Sequence, residues 1–277
     1  MSYKTILVHI DDTSRSPYRI KLAAELALKH KAHLTGLADT GVTRFIYQDG
    51  NINGVDPGLL SHLDYLRERA TQNVADFKTQ VASLGVTSFS SEITQDDASG
   101  GSALRARYCD LVIIGQTNPD ETSPVVMDDF PEYMIINSGR PVIIIPYSGE
   151  FNNIGTRPAL AWDGSRAATR AVTDAIPLLR EAELVNIVIV NPTSDVHGGQ
   201  PGAAISAYLG RHGVKSAVSI HQTKAEIGNA LLSIATDLNS DLLVMGGYGH
   251  SRFREMIMGG ATRTILKNMT IPALFSH

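Results

Sequence analysis

Ser240-Asp-Leu-Leu-Val-Met-Gly246 and Cys109-Asp-Leu-Val-Ile-Ile-Gly115 are one phrase written twice. Each is an acid, a short apolar run and a glycine, which reads as a buried strand ending in a turn. A proline follows each aspartate at the same distance, 141 − 110 = 31 and 272 − 241 = 31. Around those prolines, Gly139-Arg-Pro-Val-Ile-Ile-Ile-Pro146 and Met269-Thr-Ile-Pro-Ala-Leu-Phe275 read as a second matched pair of strands. Agreement in residue type, order and spacing makes the chain a tandem repeat of one α/β unit.

The beginnings of the halves match as well. Lys4-Thr-Ile-Leu-Val-His-Ile-Asp11 and Arg157-Pro-Ala-Leu-Ala-Trp-Asp163 are apolar runs closed by an acid. Asp12, Thr13 and Ser14 follow the first, Gly164 and Ser165 the second, and these supply helix N-caps. The spacing predicts a helix over Pro17–Lys29 with Ile20, Ala23, Ala24 and Ala27 inward. It predicts another over Arg166–Leu179 with Ala167, Ala171, Ala175 and Leu178 inward. In the second half, strands are expected near Ala159–Trp162, Val185–Val190, Ser216–His221, Asp241–Met245 and Ala273–Phe275. Helices are expected over Pro201–His212 and Lys224–Leu238. Strands alternating with helices mean an α/β fold of two doubly wound units, each with a mostly parallel five-stranded sheet. The expected domains are 1–148 and 156–277, joined by the Gly- and Asn-rich stretch Ser148-Gly-Glu-Phe-Asn-Asn-Ile-Gly155.

Bulk composition agrees. A chain of 277 residues suits two domains, since domains run ~100–200 residues. Apolar content of 43% with 19% charged residues fits a folded, water-soluble chain. A net charge of −4 with no basic block argues against a nucleic-acid surface. The longest apolar runs, such as Val142–Ile145, are strand-sized, so no membrane association is expected. The first residues run straight into Ile6-Leu7-Val8 without a signal-peptide pattern, and the single cysteine, Cys109, suits a cytoplasmic protein. The histidines show no ligand spacing, so no metal site is expected.

In doubly wound sheets, ligands bind beyond the carboxyl ends of the strands, where strand order reverses. If the strands ending at Asp163 and Gly246 are neighbours, both tips face one crevice. The second half continues Met245-Gly-Gly-Tyr-Gly-His-Ser-Arg-Phe-Arg-Glu-Met-Ile-Met-Gly-Gly-Ala-Thr262. Gly246, Gly249, Gly259 and Gly260 let backbone amides approach phosphate oxygens with no Cβ in the way. The last pair opens a helix near Ala261–Lys267, whose free amides and positive end favour an anion, and Thr262 adds a hydroxyl. The pattern is neither a Walker A loop nor a dinucleotide fingerprint. A tight turn with a close helix–sheet contact is the alternative reading. His250 and Ser251 fit a phosphate contact or a surface turn equally, as do Arg252, Arg254 and Arg263 with a solvated helix face. Trp162 is expected to pack in the core.

On these residues the chain resembles a tandem member of the universal stress protein family. Nucleotide-binding members carry Gly-x2-Gly-x9-Gly-Ser/Thr here, matched by Gly246, Gly249 and Gly259, with Gly260 in the Ser/Thr place. The resemblance implies an adenine-nucleotide alpha hydrolase-like fold and an ATP-binding stress-response or signalling protein. It implies that Asp163 contacts ribose or adenine, that Val190 contacts the adenine ring, and that the four glycines line the ribose and phosphates. Gly260 loses one hydroxyl donor, worth ~0.5–1.5 kcal/mol net, so phosphate binding is weakened but kept. The resemblance implies ATP as the ligand, with or without Mg²⁺, and the residues leave ADP or another nucleotide open. The halves are expected to pack as an intramolecular pseudo-dimer through their last strands, with a homodimer of the whole chain left open. In the first half, Gly115 is followed by Gln116-Thr-Asn-Pro119, and Asp128 and Asp129 would repel a phosphate. Asp11 and Gly115 are therefore read as what remains of a degenerate site. The loop contains no clear general base, so binding without catalysis is expected. A slow ATPase or nucleotide hydrolase is one alternative, and a ligand-free dimerisation scaffold is the other.

Overall fold

A computed structural model describes residues 2–41, 57–121, 123, 125–151, 153–197, 199–248 and 260–277. The chain forms two compact units, divided between Ser138 and Gly139. The N-terminal unit contains β1 (Thr5–His9), α1 (Ser16–His30), β2 (His33–Asp39), α2 (Pro57–Ser83), β3 (Phe89–Thr94), α3 (Ala98–Ala106), β4 (Leu111–Gly115) and α4 (Phe130–Asn137). The C-terminal unit contains β5 (Val142–Ile145), β6 (Pro158–Ala161), α5 (Arg166–Leu179), β7 (Val185–Val190), α6 (Ser194–His197), α7 (Ala203–Arg211), β8 (Ser216–His221), α8 (Ile227–Asp237), β9 (Leu242–Gly246), α9 (Ala261–Asn268) and β10 (Ala273–Ser276).

In the N-terminal unit the strands lie in the order β3-β2-β1-β4, all parallel. In the C-terminal unit the order is β5-β10-β9-β6-β7-β8, parallel except for β5. That strand, read in the sequence as the last of the first half, pairs antiparallel with β10 through Ala273↔Ile144. In the N-terminal unit β1 lies between β2 and β4, and in the C-terminal unit β6 lies between β7 and β9. Strand order therefore reverses beside β1 and beside β6, which is where doubly wound sheets hold their ligands.

The sequence dictates these elements by simple rules. Strands β4 and β9 read Leu-Val-Ile-Ile and Leu-Leu-Val-Met and are buried along these residues, because helices cover parallel sheets on both faces. Pro17 stands in the first turn of α1, which stops at Lys31 in the left-handed conformation with φ 53°. Ile20, Ala23, Ala24 and Ala27 form its buried stripe. Ser165 caps α5, its Oγ accepting from Ala168 N at 3.1 Å. Ala167, Ala171, Ala175 and Leu178 then face the sheet, as the 3.6-residue period requires. Trp162 departs from expectation. Strand β6 ends at Ala161, so Trp162 stands half-buried at its exit instead of in the core, its N–H donating to Val188 O at 2.9 Å. No described helix is long and apolar enough to cross a membrane.

Candidate functional site

Strands β6 and β9 are neighbours in register Pro158↔Leu242 to Leu160↔Val244, so their carboxyl ends open on one crevice. At the tip of β6, exposed Asp163 accepts from Ser165 N at 2.9 Å in an Asx turn. Gly164 between them has φ +74°, and a Cβ there would lie 2.6 Å from Val196 Cγ1. The same turn delivers the Ser165 cap, so aspartate and helix start are built together. Among the described residues Asp163 has no ion pair. Val190 ends β7, on the other side of β6, and is half-buried. Beyond it, Asn191 clips the ends of β7 and β8 together: its Nδ2 donates to Thr223 O at 2.9 Å and its Oδ1 accepts from Thr223 N at 2.8 Å.

Gly246 closes β9. A Cβ there would lie 2.5 Å from Ala168 N and 2.6 Å from Ala167 C, so the first turn of α5 rests directly on this glycine. Gly247 N then donates to Ser276 O at 2.8 Å, and Tyr248 N donates to Thr262 Oγ1 at 3.2 Å. Thr262 is only 3% exposed. Its hydroxyl thus pins the first turn of α9 to the exit of β9. Gly260 precedes that helix at φ −41°, ψ 154° with no side-chain cap. The amides of Ala261 and Thr262 belong to the set that a helix start leaves without intrahelical partners. They carry the positive end of the helix dipole, which favours an anion. Gly249, His250 and Gly259 lie outside the described residues. Among the described residues, no cluster of histidine, cysteine or acids is placed to hold a metal ion.

The N-terminal unit has the same crevice with different contents. Asp11 repeats the Asx turn, accepting from Thr13 N at 3.1 Å and from Thr13 Oγ1 at 2.5 Å. It is also paired with Arg19, whose Nη2 lies 2.9 Å from Asp11 Oδ1. Arg19 Nε donates to the carbonyl of His9 at 2.8 Å, and Nη2 reaches Ser16 Oγ at 3.4 Å. His9 stands between two carboxylates, Nδ1 at 3.5 Å from Asp11 Oδ2 and Nε2 at 3.3 Å from Asp39 Oδ2. Asp39 in turn accepts from Thr94 Oγ1, and from Ser102 Oγ at 3.1 Å. Burial alone would push the Asp11 carboxyl up. The Arg19 guanidinium, His9 and the hydrogen bonds of Thr13 and Arg19 outweigh it and hold the carboxyl at about 2. Gly115 ends β4 as Gly246 ends β9, but its missing Cβ would lie 2.5 Å from Arg19 Nη1.

Sequence reasoning singled out Asp11 and Gly115 and missed Arg19, His9 and Asp39. The signal was present. Arg19 falls four and eight residues before Ala23 and Ala27, on the stripe that α1 buries, and His9 interrupts an otherwise apolar strand. Charged groups in such places need buried partners.

Comparison with known proteins places the fold in context. The sequence profile of the universal stress protein family matches residues 157–277. Universal stress protein Slr1230 of Synechocystis sp. is 27% identical over 145 residues, covering 52% of this chain and 49% of that protein. The chain thus spans about half the length of this curated relative. A universal stress protein from Archaeoglobus fulgidus DSM 4304 superposes with a TM-score of 0.74 at 15% identity, over 98% of this chain and 95% of its own. A protein of unknown function from Pseudomonas aeruginosa PAO1 gives 0.64 at 15% identity, over 99% and 92%. At such identities the two solved structures share the fold.

Proposed function

We propose that this chain, whose residues 157–277 belong to the universal stress protein family, holds one adenine nucleotide in its C-terminal unit and acts as a nucleotide-responsive stress or signalling protein. The ligand is ATP, with or without Mg²⁺. The observation that carries the reading is the bond from Tyr248 N to Thr262 Oγ1, which holds the start of α9 at the exit of β9, the neighbour of β6, whose exit carries Asp163. An acid for ribose hydroxyls and a helix start for phosphates then serve one crevice. Val190 offers an apolar contact for the base. Gly246, Gly249, Gly259 and Gly260 let the main chain approach the phosphates, with His250, Ala261 and Thr262 beside them. Bound nucleotide stabilises one conformation by mass action, and a partner reads that conformation. The single cysteine, Cys109, is buried, as suits a reducing cytoplasm.

Thermal denaturation with ATP tests the proposal. At a hundred times Kd, a nucleotide that binds only the folded state adds about 2.7 kcal/mol. That corresponds to roughly 5–10 °C in a domain of this size. Wild type is expected to show this shift, and Gly249→Val, which adds a bulky side chain to the glycine pattern assigned to the phosphates, is expected to lose it. No shift in wild type, or an equal shift in Gly249→Val, overturns the proposal.

A further inference from the structure

Among the described residues, the two crevices differ in the side chain that meets the strand-end glycine. The glycine that ends β9 faces Ala167, and the glycine that ends β4 faces Arg19. Ala167 lies in the first turn of α5, which follows β6, and Arg19 at the start of α1, which follows β1. At this contact the C-terminal unit presents the backbone and methyl group of an alanine, and the N-terminal unit presents an arginine guanidinium. Arg19 is 3% exposed. Its guanidinium is held on three sides: by the His9 carbonyl at 2.8 Å, by Asp11 Oδ1 at 2.9 Å and by Ser16 Oγ at 3.4 Å. The fourth side is the bare backbone of Gly115, where a Cβ would clash with Nη1 at 2.5 Å. These contacts come from β1, from the β1–α1 turn, from α1 and from β4, the elements that flank the reversal of strand order. A planar fork of N–H donors fits this set of acceptors, and the compact ammonium of a lysine does not.

We infer that the N-terminal crevice is a guanidinium-binding site occupied from within, with the Arg19 side chain as its permanent ligand. Resting on the nucleotide reading of the C-terminal unit, this predicts that the N-terminal unit takes no nucleotide even though it keeps the strand-tip aspartate. The space is filled, and the aspartate is committed to a cation. The tandem chain then answers to one nucleotide instead of two.

Chemical rescue in the full-length chain tests the inference. Arg19→Ala removes the occupant and leaves its acceptors in place. Guanidinium chloride at roughly 10–50 mM, far below the molar range where it denatures, should raise the melting temperature of Arg19→Ala by about 2–5 °C over sodium chloride at equal ionic strength. Wild type should show no rise, and tetramethylguanidinium, which cannot present the same N–H fork, should rescue neither protein. A folded Arg19→Ala that gains nothing, or a wild type that gains as much, overturns the inference. If Arg19→Ala does not fold, arginine-detected NMR of the wild type decides. One Nε–H, assigned by its loss in Arg19→Lys or by proximity to the His9 amide, should exchange at least ~10-fold more slowly than the rest. Uniform exchange across the arginines overturns the inference. A chain that fails to respond to ATP would end the nucleotide reading while leaving the guanidinium result intact, so the two failures are distinguishable.

Discussion

Replacing Gly246 with alanine adds one methyl group at the point where β9 meets α5. The backbone at Gly246 does not need the left-handed region, so the substitution is conformationally permitted and its cost is steric. The new Cβ would lie 2.5 Å from Ala168 N, 2.6 Å from Ala167 C and 2.8 Å from Ala167 Cβ. Two of these three are main-chain atoms of the first turn of α5, a turn fixed by the Ser165 cap and packed on β9. No side-chain rotation relieves the overlap, so the helix has to move off the sheet. Overpacking of this kind costs about 1–3 kcal/mol, and a backbone clash belongs at the upper end. For a domain of this size, 3 kcal/mol is a drop of roughly 6–12 °C in melting temperature. The matched control is Gly210→Ala, in α7, where a Cβ meets nothing within 4 Å. There alanine should stabilise by up to about 1 kcal/mol. Differential scanning calorimetry of both variants reads the difference. If Gly246→Ala melts within about 1 °C of wild type, the close approach of α5 to the end of β9 is not what makes glycine necessary there.

Other outcomes follow from the same geometry. Ser165→Ala removes the cap of α5 and should cost about 1 kcal/mol in urea unfolding, with the m-value unchanged. Asp11 has its carboxyl held at about 2, below its unfolded value near 3.9, so it contributes stability that is fully present above about pH 5 and is lost as pH falls through 4 towards 2. The contribution is about 2 kcal/mol, and the stability gap between wild type and Asp11→Asn should therefore shrink between pH 6 and pH 3 in urea melts; a gap that stays constant would refute it. Thr262→Val keeps the shape of a side chain that is 3% exposed but removes the acceptor for Tyr248 N, and should cost about 1–3 kcal/mol. The ATP-induced shift should fall with it, because α9 is no longer tied to β9.

Much of this was legible in the sequence because it rests on spacing. The matched interval of 31 residues identified the repeat, and the alanine stripe of α5 placed that helix with the same bounds that the structure gives. Asp163 and Gly246 could be named because each ends an apolar run, and strand ends are what a doubly wound sheet brings together. What stayed hidden depends on direction and not on period. Nothing in the text of Gly115-Gln116-Thr117 reveals that an arginine ninety-six positions earlier fills the space above it, since 115 − 19 = 96. Trp162 was assigned to the core from its size, but size does not say that the strand stops one residue earlier.

Titration calorimetry of ATP into the full-length chain tests the central claim most directly, because it counts sites. The account predicts one nucleotide per chain, lost in Asp163→Ala and kept in Asp11→Asn. Binding of two nucleotides, of none, or of one that survives Asp163→Ala and disappears in Asp11→Asn would contradict it.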